Sequence, residues 1–379
     1  RFGMKIINAK VFTPAFTFTD KDICVLHEKF SADSLDNCVV DANGLYAIPG
    51  LIDIHFHGAV GCDFMDGTKE SLRSIAAYEA SVGVTSICPA TMTMSREDIL
   101  KACTNARDFS SDVKCSSLVG INMEGPFVSP HKAGAQNPVF VMKPDPEFFR
   151  KAQALSGNKI KLLAVAPDTE NALDVIAMLK NEVLCSIAHT CCDYDTAARA
   201  IAAGAVHLTH LYNAMPPLHH REPGPIGAGA DAKWCEAEII CDGIHVHPAA
   251  VRAAFRLFGE DRMILISDSM MACGLEDGVY TLGGQKVTVT DRKALLDNGT
   301  LAGSATNLFS CLKIAVRDMG IPFETAVRCA TYNPARSIKV LDTVGTIENG
   351  KQADLLLLDE NLDLKAVLLR GKWLFKEIL

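Results

Sequence analysis

The chain has 379 residues, 49% hydrophobic and 22% charged, a composition that excludes disordered and fibrous classes. Its 37 basic against 45 acidic residues leave a net charge of −8, which argues against nucleic-acid binding, where a basic excess is the rule. No apolar run approaches the roughly 18 residues of a membrane span.

The N-terminal stretch lacks the apolar segment of a secretion signal. Met4 reads as a start, with Arg1–Gly3 added ahead of it. The 14 cysteines include no Cys-x-x-Cys pair. Without a secretion signal they are expected as reduced core thiols in a cytoplasmic protein.

Residues 5–11, 22–26 and 39–45 alternate as strands with a turn at Asn43-Gly44. The last forty residues read alike, through Asn349-Gly350, the run Leu355–Leu358 and the turn at Arg370-Gly371-Lys372. Both ends therefore predict one small discontinuous β-sandwich domain, residues 1–52 with 343–379. The middle, residues 53–342, alternates apolar runs with helical patterns. Strands are predicted at Ala47–His57, Thr85–Thr91, Ser117–Phe127, Leu162–Pro167, Leu184–Thr190, Val206–Tyr212, Ala237–Val246 and Met263–Ser269. Helical patterns between them include Leu72–Tyr78, Thr169–Lys180 and Tyr194–Ala203. Eight such units fit an α/β (β/α)8 barrel. The rival is an open doubly wound sheet, weakened by the lack of a Gly-x-Gly-x-x-Gly or P-loop.

Polar residues gather at the C-terminal ends of these strands, the catalytic rim of a barrel. The first ends in Asp53-Ile54-His55-Phe56-His57, where positions two apart point the same way. Glu124, His189, His210 and Asp268 end the third, fifth, sixth and eighth. Imidazoles and carboxylates suit divalent zinc or iron, as one or two ions. Each has a plainer reading alone: His189 as a satisfied core residue, or Asp268 as a helix N-cap. Their joint recurrence on five strand ends favours the metal site.

Pro49–Gly58 resembles the first-strand signature of the amidohydrolase superfamily. Met123–Phe127, His210–Met215, Arg221–Gly224, Asp242–Val246, Ile266–Asp268 and Gly299–Ser304 narrow the resemblance to the N-acetylglucosamine-6-phosphate deacetylases. It runs over nearly the whole chain and implies the roles that follow. Glu124, His189 and His210 resemble one metal's ligands, and His55 and His57 the pair that completes a second, bridged by Glu124. Asp268 resembles the catalytic acid/base and a metal contact, working through a metal-activated water. Gln136, Asn213, Ala214, Arg221, His245, Leu301 and Ala302 resemble contacts to a sugar phosphate. Arg221 suits phosphate physically, since guanidinium matches its oxygens bidentately; the plainer reading is a solvated pair with Glu222. Gln136 stands where some members carry His. The family implies a homodimer whose phosphate site is shared across the interface.

The implied reaction releases acetate and glucosamine 6-phosphate, a step of amino-sugar catabolism and cell-wall recycling. Alternatives are a deacetylase for the galactosamine 6-phosphate epimer, another amidohydrolase such as a dihydroorotase or allantoinase, a catalytically dead scaffold, or a non-catalytic sugar-phosphate-binding barrel. The dihydroorotase and allantoinase readings call for a modified lysine on the fourth strand. Here Lys161 reads as preceding that strand, whose end is Ala166-Pro167-Asp168.

Overall fold

The computed structural model describes residues 3–33 and 38–378; Arg1 and Phe2, read as part of an added segment, lie outside them. Strands from both ends of the chain join one eight-stranded sheet. Its order is Lys372–Lys376, Leu364–Leu369, Leu355–Leu358, Tyr46–Pro49, Gly3–Phe12, Phe18–Leu26, Lys29–Ser31, with Val39–Asp41 also on Gly3–Phe12. The four leucines 355–358 are all buried. Alternation gives the reason: Leu355 and Leu357 pack among the sheet's own apolar residues, while Leu356 and Leu358 pack into the central core. A strand covered on both faces has no polar side to keep.

The middle of the chain forms a curled parallel sheet. Leu51–Asp53, Val84–Ile87 and Ser117–Leu118 make one parallel group. Ile121–Met123, Ile160–Val165, Leu184–Ile187, His207–Leu208, Glu236–Ile240 and Met263–Ile266 make a second. A parallel bridge from Ala90 to Asn122 links the two groups. Helices alternate with these strands, among them Lys69–Ser81, Arg96–Arg107, Ala172–Leu179 and Tyr194–Ala203. Side-chain oxygens of Thr68, Ser95 and Asp193 cap three of their N-termini.

Most strands are shorter than the sequence predicts, and the first prediction splits. Tyr46–Pro49 belongs to the terminal sheet and Leu51–Asp53 to the parallel one. The break falls at Gly50, where a Cβ would meet Thr85 Oγ1 at 2.0 Å. An element not foreseen is a three-stranded antiparallel insert, Gly278–Leu282, Gln285–Thr290 and Lys293–Leu295. Its hairpin turns at Gly283-Gly284, both with positive φ, a two-residue turn the sequence does display. Most of the cysteines are buried, and Cys191 is exposed. Among the described residues no helix is long and apolar enough to cross a membrane.

Glu79 on the helix Lys69–Ser81 is buried, and neither carboxylate oxygen has a hydrogen-bond partner. Burial, then the charge of Asp53, pushes its pKa well above the ordinary 4.5. The folded chain thus holds a proton that the unfolded chain releases, so this contribution to stability falls as pH rises above about 4.5. Glu79→Met should raise Tm at pH 7 by a few degrees, the result of relieving about 1–2 kcal/mol of unpaired burial. It should also flatten the decline in stability between pH 4.5 and neutrality. A lower Tm at pH 7 would refute this account of Glu79.

Candidate metal centre and active site

Two groups of ligand-type atoms meet beyond the C-terminal ends of the parallel strands. One is His55, His57, Glu124 and Asp268; the other is Glu124, His189 and His210. Within each group the candidate atoms lie within 4.8 Å of one another, and all six residues are buried. Glu124 belongs to both. Its Oε1 lies 2.9 Å from His189 Nε2 and 3.1 Å from His210 Nε2. Its Oε2 lies 3.1 Å from His55 Nε2 and 3.0 Å from His57 Nε2. Asp268 Oδ1 completes the first group, 3.2 Å from His57 Nε2.

The backbone that delivers these side chains is irregular rather than extended. His55 and His57 follow the strand Leu51–Asp53 instead of ending it. The chain there is held by Asp268 N donating to His55 O at 2.9 Å and His57 N to Ser269 O at 2.7 Å. His189, His210 and Asp268 have φ of 46°, 27° and 49°, a region that L-residues rarely adopt and that clusters at functional sites. Asp268 caps no helix; the next one, Leu308–Arg317, is capped by Asn307. Gly125, after Glu124, has φ 88°, and a Cβ there would meet Thr93 Oγ1 at 2.2 Å.

The hydrogen bonds test whether a cation fits. His189 Nδ1 faces Lys132 O at 3.1 Å, and His210 Nδ1 faces Asn213 O at 3.0 Å. A carbonyl only accepts, so each Nδ1 carries the proton and each Nε2 presents a lone pair. Those two Nε2 atoms are 3.2 Å apart. His55 Nε2 and Glu124 Oε2 are buried without a hydrogen-bond partner although they are close. Lone pairs converging on lone pairs and carboxylates repel unless positive charge lies among them. The donor set fits a divalent ion.

In the absence of an ion, protons on His55 and His57 take over the positive charge that the carboxylates require. Burial opposes the charge on Glu124, yet the charge of His55 holds its pKa well below the usual range. Burial likewise opposes ionisation of Asp268, and His57 and His55 outweigh it, keeping that pKa lowered. Burial disfavours the His57 cation, but Asp268 and Glu124 raise its pKa to about 10. Asp53, below the centre, is pushed up to about 7 by burial, against the Ser267 hydroxyl and the His55 amide it accepts from.

A cavity of about 260 Å³ opens over the centre. His57, Glu124, His189, His210 and Asp268 line it, with Gln136, Asn213, Ala214, His245 and Leu301. His55 lies beneath this lining, fully buried. Gln136 Oε1 accepts from Thr93 N at 2.6 Å, and its amide nitrogen is 3.7 Å from Met92 Sδ. His245 Nδ1 pairs with Asp242 Oδ2 at 2.7 Å. Burial disfavours the His245 cation, but Asp242 raises its pKa. Ala302 is buried behind Leu301 and outside the lining. Arg221 is exposed on a different cavity of about 890 Å³, beside His219, Tyr194 and Asp231. Its Nη1 meets His220 Nε2 at 2.8 Å, rather than Glu222, its partner in the plainer reading.

Sequence reasoning passed over Glu238, whose carboxylate holds His55 Nδ1 at 2.8 Å. The signal was a lone acidic residue inside the apolar run 237–241. It also passed over Lys132, Thr300 and Leu282 in the cavity wall. Lys161 lies inside the strand Ile160–Val165 rather than before it.

The amidohydrolase family model matches residues 46–374. An N-acetylglucosamine-6-phosphate deacetylase from Bacillus subtilis strain 168 is 39% identical over 333 residues, 86% of this chain and 84% of that protein. An N-acetylgalactosamine-6-phosphate deacetylase from Escherichia coli O157:H7 is 33% identical, over 86% of each. The solved structure of a mutant Mycobacterium smegmatis N-acetyl-D-glucosamine-6-phosphate deacetylase, in complex with N-acetyl-D-glucosamine-6-phosphate, is 30% identical. It superposes with a TM-score of 0.89 over 98% of both chains. A match over most of the length, around a carboxylate common to two imidazole pairs, has one reading: the chain belongs to the amidohydrolase family.

Proposed function

We propose that this protein is a metal-dependent deacetylase that hydrolyses N-acetylglucosamine 6-phosphate to glucosamine 6-phosphate and acetate. The observation that carries the chemistry is Asp268, ionised, 3.2 Å from His57 Nε2 and facing the cavity beside Glu124. The names of the relatives, which act on hexosamine 6-phosphates, support the substrate class.

His55, His57, Glu124, His189, His210 and Asp268 would hold one or two divalent ions, zinc or iron by ligand type. Bound there, an ion would act as a Lewis acid on the amide and raise the acidity of water at the site. Asp268 accepts the proton of the attacking water and returns it to the departing amine nitrogen. Gln136 offers an amide N–H₂ to the sugar, its oxygen being engaged by Thr93. His245, oriented by Asp242, offers Nε2. Asn213, Ala214 and Leu301 shape the sugar pocket, backed by Ala302.

Arg221 takes the phosphate of the neighbouring subunit in a homodimer, a reading supported by its exposure away from the cavity of its own chain. Mixing makes this testable. Subunits of Asp268→Asn and of Arg221→Ala, each impaired alone, should regain activity when exchanged into mixed dimers, because one site then has both residues. No recovery, with exchange verified, would put Arg221 outside the phosphate site. Arg221→Ala alone should raise KM for the phosphorylated sugar far more than for the unphosphorylated one.

The parallel strands close as a (β/α)8 barrel spanning residues 53–342, supported by the Asp268–His55 and His57–Ser269 backbone bonds just beyond the ends of its first and last strands. Residues 1–52 and 343–379 form a β-sandwich domain, except for Leu51 and Ile52, which pair with Val84 and Ser86 in the parallel sheet. Trp373 Nε1 reaches Met4 Sδ at 3.1 Å although their strands are four positions apart in the sheet, as a sheet folded over on itself requires. The fourteen cysteines, most of them buried, suit a cytoplasmic enzyme.

The test is acetate release by metal-replete protein from N-acetylglucosamine 6-phosphate, its unphosphorylated form, and N-acetylgalactosamine 6-phosphate. Fast release from the first alone is expected. Preference for the galactosamine epimer would support the reading suggested by the Escherichia coli relative. Release from none, with metal bound, would end the deacetylase assignment.

A further inference from the structure

Glu238, on the strand Glu236–Ile240, is fully buried beneath the centre. Its Oε1 accepts from His55 Nδ1 at 2.8 Å and from the backbone N of His210 at 3.2 Å. Its Oε2 lies 2.8 Å from His207 Nε2. We propose that Glu238 is a positioning residue that braces one ligand of each metal group, and that ion binding by the His55–His57 group depends on it selectively. The inference rests on the reading of the centre as a metal site.

Proton placement makes the difference between the groups. Glu238 Oε1 already accepts from the His210 N–H, so it is an acceptor for His55 too, which carries its proton on Nδ1 and directs the Nε2 lone pair at Glu124. A ligand ring is commonly fixed in this way by the partner of its other nitrogen. The two groups differ in what supplies that partner. His189 and His210 donate to backbone carbonyls, which no substitution removes. His57 Nδ1 is buried without a partner. Glu238 is thus the side-chain anchor of the first group. Its contact to the second is only to the His210 backbone, where it helps hold the φ of 27°.

The experiment titrates ion-free protein with Zn²⁺ against a competing chelator, with elemental analysis of the loaded samples. His57→Asn and His189→Asn identify which binding step belongs to which group. Glu238→Met fills the volume but accepts nothing. It should weaken the His57-dependent step about 10–100-fold and leave the His189-dependent step within a few-fold. Glu238→Gln keeps an oxygen at the Oε1 position, while its N–H₂ donates to His207 once that ring moves its proton to Nδ1, which is 3.5 Å from Ser337 Oγ. It should restore nearly wild-type affinity. Should Glu238→Met not fold, Glu238→Asp, which withdraws the oxygens by one methylene, must show the same selective loss. Unchanged affinity in these folded variants, equal weakening of both steps, or a Gln variant as impaired as Met would overturn the inference. If the wild type itself binds no zinc, the metal-site reading fails with it; if it binds and the variants match it, only the role of Glu238 fails.

Discussion

Asp268→Asn should lower kcat for acetate release by about 10²–10⁴-fold, the range that a positioned acid/base supplies, while zinc still binds. The amide matches the carboxylate in shape but cannot take a proton from water or return one to the amine. The wild-type side chain is prepared for proton transfer, because His57 and His55 keep it ionised despite burial. The left-handed backbone at φ 49° and the bond from Asp268 N to His55 O fix its direction. The check is kcat measured beside zinc content on the same sample. Near-normal turnover would remove Asp268 from the reaction, whereas loss of zinc together with turnover would make it a ligand first.

Glu124→Gln should be more damaging still, because one carboxylate serves four imidazoles. The His189–His210 pair would keep only two neutral nitrogens, and the His55–His57 group would keep Asp268 as its only anionic ligand. Zinc affinity should fall beyond the roughly 10²-fold that loss of a supporting outer residue already causes, with turnover falling alongside. Chelator-competition titration measures the first and acetate release the second. Zinc affinity like that of the wild type would mean that Glu124 does not bridge the groups.

Much of this was legible in the sequence because the informative residues sit at distinct points. His55, His57, Glu124, His189, His210 and Asp268 each stand at the end of an apolar run, and the fold collects those ends at one rim. The strand limits themselves were not legible. Strand pairing stops where ligand side chains must leave the pleat, and the left-handed turns at His189 and His210 are only weakly marked by residue type, because most histidines, though enriched there, still adopt negative φ. Glu238 was hidden for a related reason: it lies within a strand rather than at its end, and its role depends on three partners distant in sequence. Arg221 lines a different cavity from the one over the centre, a separation that nothing in the sequence announces.

The terminal sheet has a consequence for how the protein is made. Tyr46–Pro49 pairs with Leu355–Leu358, joining Tyr46 to Leu358, so this pairing must wait until nearly all of the chain has been synthesised. Until then Gly3–Phe12 and its antiparallel partner Phe18–Leu26 carry an apolar face with no cover from the C-terminal strands. Contacts so distant in sequence form slowly, and exposed strand edges invite association with other nascent chains. The ribosome-bound protein should therefore be most vulnerable to aggregation late in translation, with its catalytic strands already out and the sheet that closes both ends still incomplete.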